Sequence, residues 1–297
     1  MIMEDSLPGR MREKGATADS HRGFALGHFA TRAWVIFALG LFVYGSIWNL
    51  STRRYLKGFS DAIIPLEGSE QERTEALLRW FRHEPQRLEA SGAGMGGTRD
   101  TVIIVRDARL LKVCGSATNA FINLAATADL KTRRLLLLAK SGTAMHVVAE
   151  VKWGDRWVVV DPQQGGVFRD HLGRALSKEE LRDPMVFRDA ISGMPGYNPE
   201  YTFERTIHIH LRRIPFGSFL RRTLTHFFPG WEEAVNWSYI PENPSLWPIL
   251  ISIPLFFLGM ILNWVLGWYE RKKLGYIAPG LRARLLRAGR ALVYRSA

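Results

Sequence analysis

Two uncharged apolar segments constrain this chain more than any other feature. Residues 247–268 (WPILISIPLFFLGMILNWVLGW) carry no charged side chain, are edged by Trp, and contain Pro254. Residues 33–48 are also uncharged, and the charge-free stretch continues to Thr52. Each segment matches the roughly 20 residues that an α-helix needs to cross a bilayer. We therefore expect two transmembrane helices, the first retained as an anchor, because no clear small-x-small cleavage site accompanies it.

The charges beside these segments predict their orientation. Arg271, Lys272 and Lys273 directly follow the second segment, whereas residues 223–246 contain no Lys or Arg. Since Lys and Arg accumulate on the cytoplasmic side, we expect both termini in the cytoplasm and the region between the helices outside it, in the periplasm if the cell is a Gram-negative bacterium. We therefore expect a two-pass protein of the bacterial cytoplasmic (inner) membrane. Its expected parts, in chain order, are a cytoplasmic leader at 1–30, a transmembrane helix at 31–51, an extracytoplasmic domain at 52–246 with its core at 70–210, a second transmembrane helix at 247–268 and a basic cytoplasmic tail at 269–297.

The net charge of +12 raises the question of a nucleic-acid partner. The basic residues do not alternate with aromatic residues in one strip, and several flank the second apolar segment, so we expect no nucleic acid. Residues 1–30 show no apolar period, and we expect a mobile cytoplasmic leader. Residues 281–293 fit either a basic amphipathic helix on the membrane or an unstructured tail. The glycine-rich residues 92–97 lack the Gly-Lys-Ser/Thr ending of a phosphate loop and predict a flexible connection.

The central region predicts helices followed by an antiparallel sheet, which is an α+β fold. Residues 69–82 have apolar side chains at helical spacing behind acidic first-turn residues. After Cys114, small and apolar residues recur at the spacing of one face of an α-helix, so a second helix is expected to begin there. Apolar and alternating segments predict strands at 134–140, 145–151, 156–160 and 206–211.

Cys114 is the sole cysteine, so it has no partner within the chain for a disulfide. A helix start lowers the pKa of a thiol, because unpaired amide dipoles point towards the sulfur. The thiolate is the reactive form of cysteine. This position predicts a nucleophile.

Strand pairing places a histidine and a carboxylate together. A tight turn at Gly154 sets the register of the flanking strands, so that Asp161 faces Val148. Positions 146 and 148 share one face, which puts His146 diagonal to Asp161, with Cα atoms about 7 to 8 Å apart. Glu150 shares that face but lies roughly 13 Å along the strand from His146. We therefore expect Asp161 to be the partner that orients the imidazole, with His146 as the base beside Cys114.

This order of residues resembles the transglutaminase-like superfamily. The resemblance covers about 70–210 and is most specific over 112–162. It implies a papain-like α+β fold in which the nucleophile-bearing helix packs on an antiparallel sheet, with Cys114 as nucleophile, His146 as base and Asp161 as orienting group. The matching residues are Cys114-Gly115, Arg133-Arg134, residues 146–151 (HVVAEV) and residues 154–162 (GDRWVVVDP).

The expected activity is that of a membrane-anchored thiol enzyme acting on a protein or peptide amide. A thioester on Cys114 would be resolved by water, as in a protease or deamidase, or by an amine, as in cross-linking. The alternative is a catalytically silent membrane subunit that uses the fold as a binding or interaction module, with a membrane-protein partner, in a cell-surface system. We expect no cofactor and no metal. His208 and His210 are predicted to lie on the polar outer face of a strand rather than in a metal site.

Overall fold

The structure is a computed structural model that describes residues 8–83, 98–208, 217–231 and 243–274. For residues 8–22, and at positions 108 and 220, the description covers the backbone alone. The chain divides into two compact units, one made of residues 1–45 and 248–297 and the other of residues 46–247. The predicted glycine-rich connection at 92–97 and the tail at 281–293 lie outside the described residues.

The first unit contains long apolar segments of two helices. Helix α1 runs from Pro8–Ile63, and the last helix, α7, from Leu246–Leu274. Within them, Gly23–Ile63 and Leu246–Lys272 are long and apolar enough to cross a membrane. The expectation of two such helices is confirmed.

Residues 8–30 of the predicted leader are helical, because helix α1 already begins at Pro8. Proline is favoured in the first turn of a helix, where its missing N–H has no partner to lose. Each interior glycine costs about 1 kcal/mol relative to alanine, but adding turns to an existing helix is far easier than starting one. The apolar helix therefore extends backwards through a segment with no hydrophobic pattern.

Small residues and polar pairs join α1 to α7 within this unit. A Cβ atom at Gly45 would stand 2.8 Å from Cβ of Pro248, and one at Gly259 would stand 2.7 Å from Cδ1 of Trp34. The absence of side chains at these glycines permits the close approach of the helices, as in membrane helix pairs. Near one end of the contact, His28 bonds to Asn263 at 3.0 Å and to Glu270 at 2.8 Å.

The second unit is an α+β domain built on a five-stranded antiparallel sheet, which confirms the predicted class. The strand order is β4-β3-β2-β1-β5. The predicted strands at 134–140, 145–151 and 156–160 correspond to β1, β2 and β3. Of the segment predicted at 206–211, β5 covers two residues, and positions 209–211 lie outside the described residues. The strands are β1 (Thr132–Leu138), β2 (Ala144–Trp153), β3 (Arg156–Asp161), β4 (Gly166–Val167) and β5 (Thr206–Ile207).

Helices precede and follow the sheet in sequence. Helix α2 begins one residue after the predicted 69–82 segment does and ends one residue after it, and α4 begins at Cys114 as expected. Asp183 caps α5 by accepting a hydrogen bond from the amide of Met185 at 2.8 Å, and Pro184 follows it. The helices of this unit are α2 (Glu70–His83), α3 (Thr101–Arg106), α4 (Cys114–Thr127), α5 (Pro184–Ser192) and α6 (Gly217–Phe227), together with the final turns of α1.

Two hydrophobic clusters cover the two faces of the sheet. On one face, Ala149 and Val160 pack with Phe81 of α2 and Phe121 of α4. On the other face, Val148 and Val159 pack with Phe168 and Phe203. This alternation along each strand follows from the period of two in β-structure. The sheet is therefore the middle layer, and burial on both sides fixes its register.

Helix α4 is buried along most of its length, although it contains several polar side chains. Thr118 donates to the carbonyl of Val147 at 3.0 Å, and Thr101 donates to the Asn119 side chain at 2.8 Å. Such bonds offset the cost of removing polar groups from water. The Thr118 bond also ties α4 to β2 beside His146.

Candidate active site

The pairing of β2 with β3 brings His146 and Asp161 together. Ala149 pairs with Val160 and Trp153 with Arg156, which is the register predicted from the turn at Gly154. Nε2 of His146 lies 2.6 Å from Oδ2 of Asp161, and both side chains are almost completely buried. A short bond between an imidazole and a buried carboxylate fixes the ring orientation and favours the protonated ring.

Two tyrosines fix the plane of the His146 ring. Tyr201 stacks on it with ring centroids 4.5 Å apart and planes inclined by 11°. Tyr197 meets it edge-on at 5.9 Å, and its hydroxyl donates to the carbonyl of Tyr201 at 3.2 Å. Sequence reasoning missed both tyrosines, because nothing in the pattern of residues 194–201 (MPGYNPEY) shows which strand the loop covers.

A β-bulge lies immediately before His146. Leu137 pairs with His146, but Leu138 pairs with Ala144, so Met145 is an extra residue in β2. Bulges bend a strand and redirect neighbouring side chains, and they are frequent beside active sites. The alternation of apolar residues through 144–151 did not reveal this irregularity.

The turn after Asp161 holds the carboxylate in place and reaches towards the start of α4. The amide of Gln164 donates to Oδ1 of Asp161 at 3.1 Å, which leaves Oδ2 for His146. Gln163 donates from Nε2 to the carbonyl of Lys112 at 2.7 Å, two residues before Cys114. This bond connects the end of β3 directly to the start of α4, and it had no signal in the sequence.

Cys114 occupies the first position of α4, where backbone amides lack helical partners. The N-cap residue is Val113, whose side chain makes no capping hydrogen bond. The sulfur interacts instead with the backbone amides of Gly115 and Val147 and with the His146 ring. Since Nε2 of His146 bonds to Asp161, the other ring nitrogen, Nδ1, is the one left for the sulfur. The three predicted residues therefore form one continuous chain of contacts.

These contacts shift the pKa values of both members of the Cys114–His146 pair. Burial raises the pKa of the Cys114 thiol, but the hydrogen bond and charge of His146 and the amides of Val147 and Gly115 outweigh it and lower the pKa. Burial lowers the pKa of His146, whereas the bonds to Asp161 and Cys114 raise it to about 9. Both shifts favour the thiolate–imidazolium pair over the neutral thiol–imidazole pair.

A second ionic cluster lies further along β2. Glu150 is fully buried and accepts hydrogen bonds from Nε of Arg133 at 2.7 Å and from Nε2 of His208 at 2.6 Å. The Arg133 guanidinium also stacks over the ring of Trp157 at 4.1 Å. Burial raises the pKa of Glu150, but its bonds to His208 and Arg133 outweigh that effect and lower the pKa.

The prediction of an outer-face position for His208 is therefore wrong. His208 is buried, because Glu150 supplies the carboxylate partner that sequence spacing did not reveal. His210 lies outside the described residues. Glu150 is bonded to His208 and Arg133, and Asp161 holds the bond to His146.

Within the described ranges, no group of three or more His, Cys, Asp or Glu side chains is arranged to hold a metal ion. Comparison of the chain with protein-family models, with curated proteins and with solved structures found no significant match.

The lowered pKa of Cys114 predicts alkylation below the pH at which an ordinary thiol ionises. In the full-length protein in detergent, iodoacetamide should label Cys114 well below pH 8.5, the approximate pKa of a free thiol. His146→Ala removes the hydrogen bond and the charge, so burial should raise the pKa and confine labelling to pH above about 8.5. Mass spectrometry across pH measures both profiles. The exposed His171 supplies the control, because in His171→Ala the labelling of Cys114 should follow the wild-type pH profile. If labelling of the wild-type protein rises only near pH 8.5, the proposed lowering of the Cys114 pKa is refuted.

The burial of Glu150 predicts a structural role. Glu150→Gln leaves Arg133 buried without its counter-charge, so we expect the free energy of unfolding to fall by about 3 to 5 kcal/mol. Urea unfolding in detergent measures the loss, with the exposed Glu179→Gln as control. Because the folded pKa of Glu150 is lowered, its contribution is present above the unfolded value of about 4.3 and is lost as pH falls through the folded value. An unchanged stability at pH 7 would contradict this role.

Proposed function

We propose that this protein is a transglutaminase-like thiol enzyme, anchored in the bacterial cytoplasmic membrane, that acts on a protein or peptide amide. The observation that carries the proposal is the continuous chain from Cys114 through His146 to Asp161. The thiol pKa is lowered and the imidazole pKa is raised within that chain. Each member has the position that nucleophile, acid–base group and orienting carboxylate require.

Acylation needs a nucleophile and a proton donor. The Cys114 thiolate attacks the carbonyl carbon of the amide, and a C–S bond forms while negative charge develops on the oxygen. Backbone amides beside the sulfur, at the start of α4, favour that charge. The intermediate then collapses, the C–N bond breaks, and the His146 imidazolium gives its proton to the leaving nitrogen. Ammonia or an amine departs, and a thioester remains.

Deacylation reverses the proton transfer. Neutral His146 takes a proton from water or from a primary amine, which attacks the thioester carbonyl and expels the Cys114 thiolate. Water yields a carboxylic acid, as in a protease or deamidase, and an amine yields a new amide, as in cross-linking. Asp161 stabilises the imidazolium in both steps. The same three side chains serve both outcomes.

The membrane assignment rests on the two apolar helices and on charge. Gly23–Ile63 and Leu246–Lys272 have the length and composition of spanning helices, and small residues allow them to pack closely. Arg271, Lys272 and Lys273 follow the second apolar segment. In this proposal both termini are cytoplasmic and the catalytic domain is periplasmic.

The proposed activity predicts that the protein converts glutamine-containing peptides into products. A mixture of glutamine-containing peptides with a fluorescent primary amine should give labelled peptide if an amine resolves the thioester, or Gln-to-Glu conversion or cleavage if water does. Cys114→Ala should lower product formation at least about a thousandfold, and His146→Ala should have a comparable effect. Product is measured by mass spectrometry. Acylation should decline as pH rises through about 9, because His146 then loses the proton that the leaving nitrogen needs.

The control is His171→Ala, which changes an exposed histidine and should keep full activity. Product formation by Cys114→Ala at the wild-type rate would refute the enzyme proposal. A wild-type protein that shows the low-pH thiolate but forms no acyl-enzyme with any peptide would favour the alternative, a catalytically silent membrane subunit.

The proposed topology predicts which positions an impermeant thiol reagent reaches. In the Cys114→Ala background, Asp155→Cys is suitable because the Asp155 side chain is fully exposed in the β2–β3 turn. On cells with a permeabilised outer membrane, this variant should be labelled before lysis, and Ala297→Cys should be labelled after lysis alone. Gel-shift detection reports both. The reverse pattern would show that the domain faces the cytoplasm.

A further inference from the structure

Tyr201 lies flat against the imidazole ring of His146. The ring centroids are 4.5 Å apart and the planes are inclined by 11°, so the face of the phenol ring meets the face of the imidazole. His146 is only 2% exposed, whereas Tyr201 is partly exposed. Because little water reaches the histidine, solvent screens an electrostatic interaction between the two rings only weakly.

The face of an aromatic ring distinguishes the two protonation states of a histidine. Its π-electrons make the face negative, and a cation within about 6 Å of the ring centroid is attracted to it. This attraction is strongest where water is excluded. A neutral imidazole in the same place carries no net charge and lacks the attraction. The stack on Tyr201 therefore favours the imidazolium form of His146.

Several elements bring titratable side chains to this ring. On β1, the residue that pairs with His146 is the apolar Leu137. In the segment that carries Tyr201, the acidic residues Glu200 and Glu204 are exposed. The titratable side chains that the structure shows against the His146 ring are Cys114 of α4, Asp161 of β3, Tyr197 and Tyr201.

These neighbours act on the protonation of His146 in different ways. Burial lowers the pKa of His146, whereas the bonds to Asp161 and Cys114 raise it to about 9. Burial also raises the pKa of Tyr197, and the nearby Asp161 carboxylate adds to that effect, so the Tyr197 hydroxyl stays neutral. Asp161 and the face of Tyr201 thus both favour a positive charge on the imidazole.

The position of Tyr201 is fixed by the surrounding packing. The Tyr197 hydroxyl donates to the carbonyl of Tyr201 at 3.2 Å, and the Tyr201 amide donates to the carbonyl of Asn198 at 3.1 Å. The Tyr197 ring in turn packs edge-on against the buried Phe168, with centroids 5.3 Å apart. These contacts join the backbone of Tyr201 to the hydrophobic cluster, so its ring meets His146 in a defined geometry.

We propose that Tyr201 is a positioning residue whose ring face stabilises the charged, proton-donating form of His146. The catalytic meaning of this inference rests on the proposed function, in which the imidazolium gives its proton to the leaving nitrogen. The stabilisation itself is measurable without a substrate. A ring that only covers the site acts through its shape, whereas a ring that attracts the imidazolium acts through the charge of its face.

The test follows the titration of His146 in the full-length protein in detergent. Nuclear magnetic resonance of isotope-labelled histidine measures the pKa, and the resonance that is lost in His146→Ala identifies the ring. Tyr201→Leu keeps an apolar side chain over the imidazole but removes the aromatic face. The pKa of His146 should therefore fall from about 9 by roughly 0.4 to 1.5 units.

Two further variants serve as controls. Tyr201→Phe keeps the aromatic face, so the pKa of His146 should stay within about 0.3 units of the wild-type value. Tyr55→Leu makes the same change as Tyr201→Leu at an exposed tyrosine of α1 and should leave the pKa of His146 unchanged.

A fluorinated phenylalanine at position 201 separates charge from shape. Fluorine draws negative charge away from the face and nearly preserves the shape of the ring. The pKa of His146 should therefore be lower than in Tyr201→Phe. Thermal melting of each variant reports on the fold. If Tyr201→Leu does not fold, the fluorinated variant decides, and a His146 pKa equal to that of Tyr201→Phe overturns the proposal.

An unchanged or higher pKa of His146 in folded Tyr201→Leu would also overturn it, because the tyrosine would then act by excluding water. The proposed enzyme activity is judged separately. With a substrate, the alkaline decline of acylation should move to lower pH in Tyr201→Leu by as much as the pKa does. A protein that forms no product but shows the lowered pKa would support the stabilisation by Tyr201 and count against the enzyme proposal alone.

Discussion

The antiparallel register of β2 and β3 determines which side chains of this domain meet at the site and which enter the core. A shift by one residue would move every side chain of a strand to the opposite face. In the observed register, His146 lies beside Asp161 while Ala149 and Val151 face α4. Burial of both faces makes any other pairing costly, because polar groups would enter the hydrophobic clusters. The contacts of the site are thus a by-product of a register fixed by the core.

Two buried carboxylates on this sheet have different surroundings and therefore different chemistry. Asp161 contacts a histidine whose second nitrogen reaches a thiol, so its charge is transmitted to a group that can react. Glu150 contacts a guanidinium and a histidine within the same buried cluster. The first arrangement ends at the partly exposed thiol of Cys114, whereas the second consists of buried groups bonded to one another. Burial of charge alone does not mark a reactive site.

Sequence reasoning reached the local and periodic parts of this arrangement. The tight turn at Gly154 and the alternation of β2 and β3 were sufficient to pair His146 with Asp161, and helical spacing placed Cys114 at the start of α4. The transglutaminase-like resemblance stays a prediction. The stacking of Tyr201 on His146 and the His208–Glu150 bond depend on where distant loops fold back. No spacing rule predicts such contacts, because the loops between the partners have no periodic structure that would determine their path.

The missing side-chain cap at the start of α4 sets the stability of the helix against the contacts of the sulfur. A helix with Val113 at its N-cap forgoes roughly 1 kcal/mol that Asp or Ser would contribute there. The burial of α4 against the sheet compensates for that deficit. A capping side chain would strengthen the helix, but it would compete with the sulfur for the same amides, and a carboxylate would also repel the thiolate. The missing side-chain cap thus leaves those amides available to the sulfur. A search for stabilising substitutions would favour a capping residue at position 113 and so remove that contact.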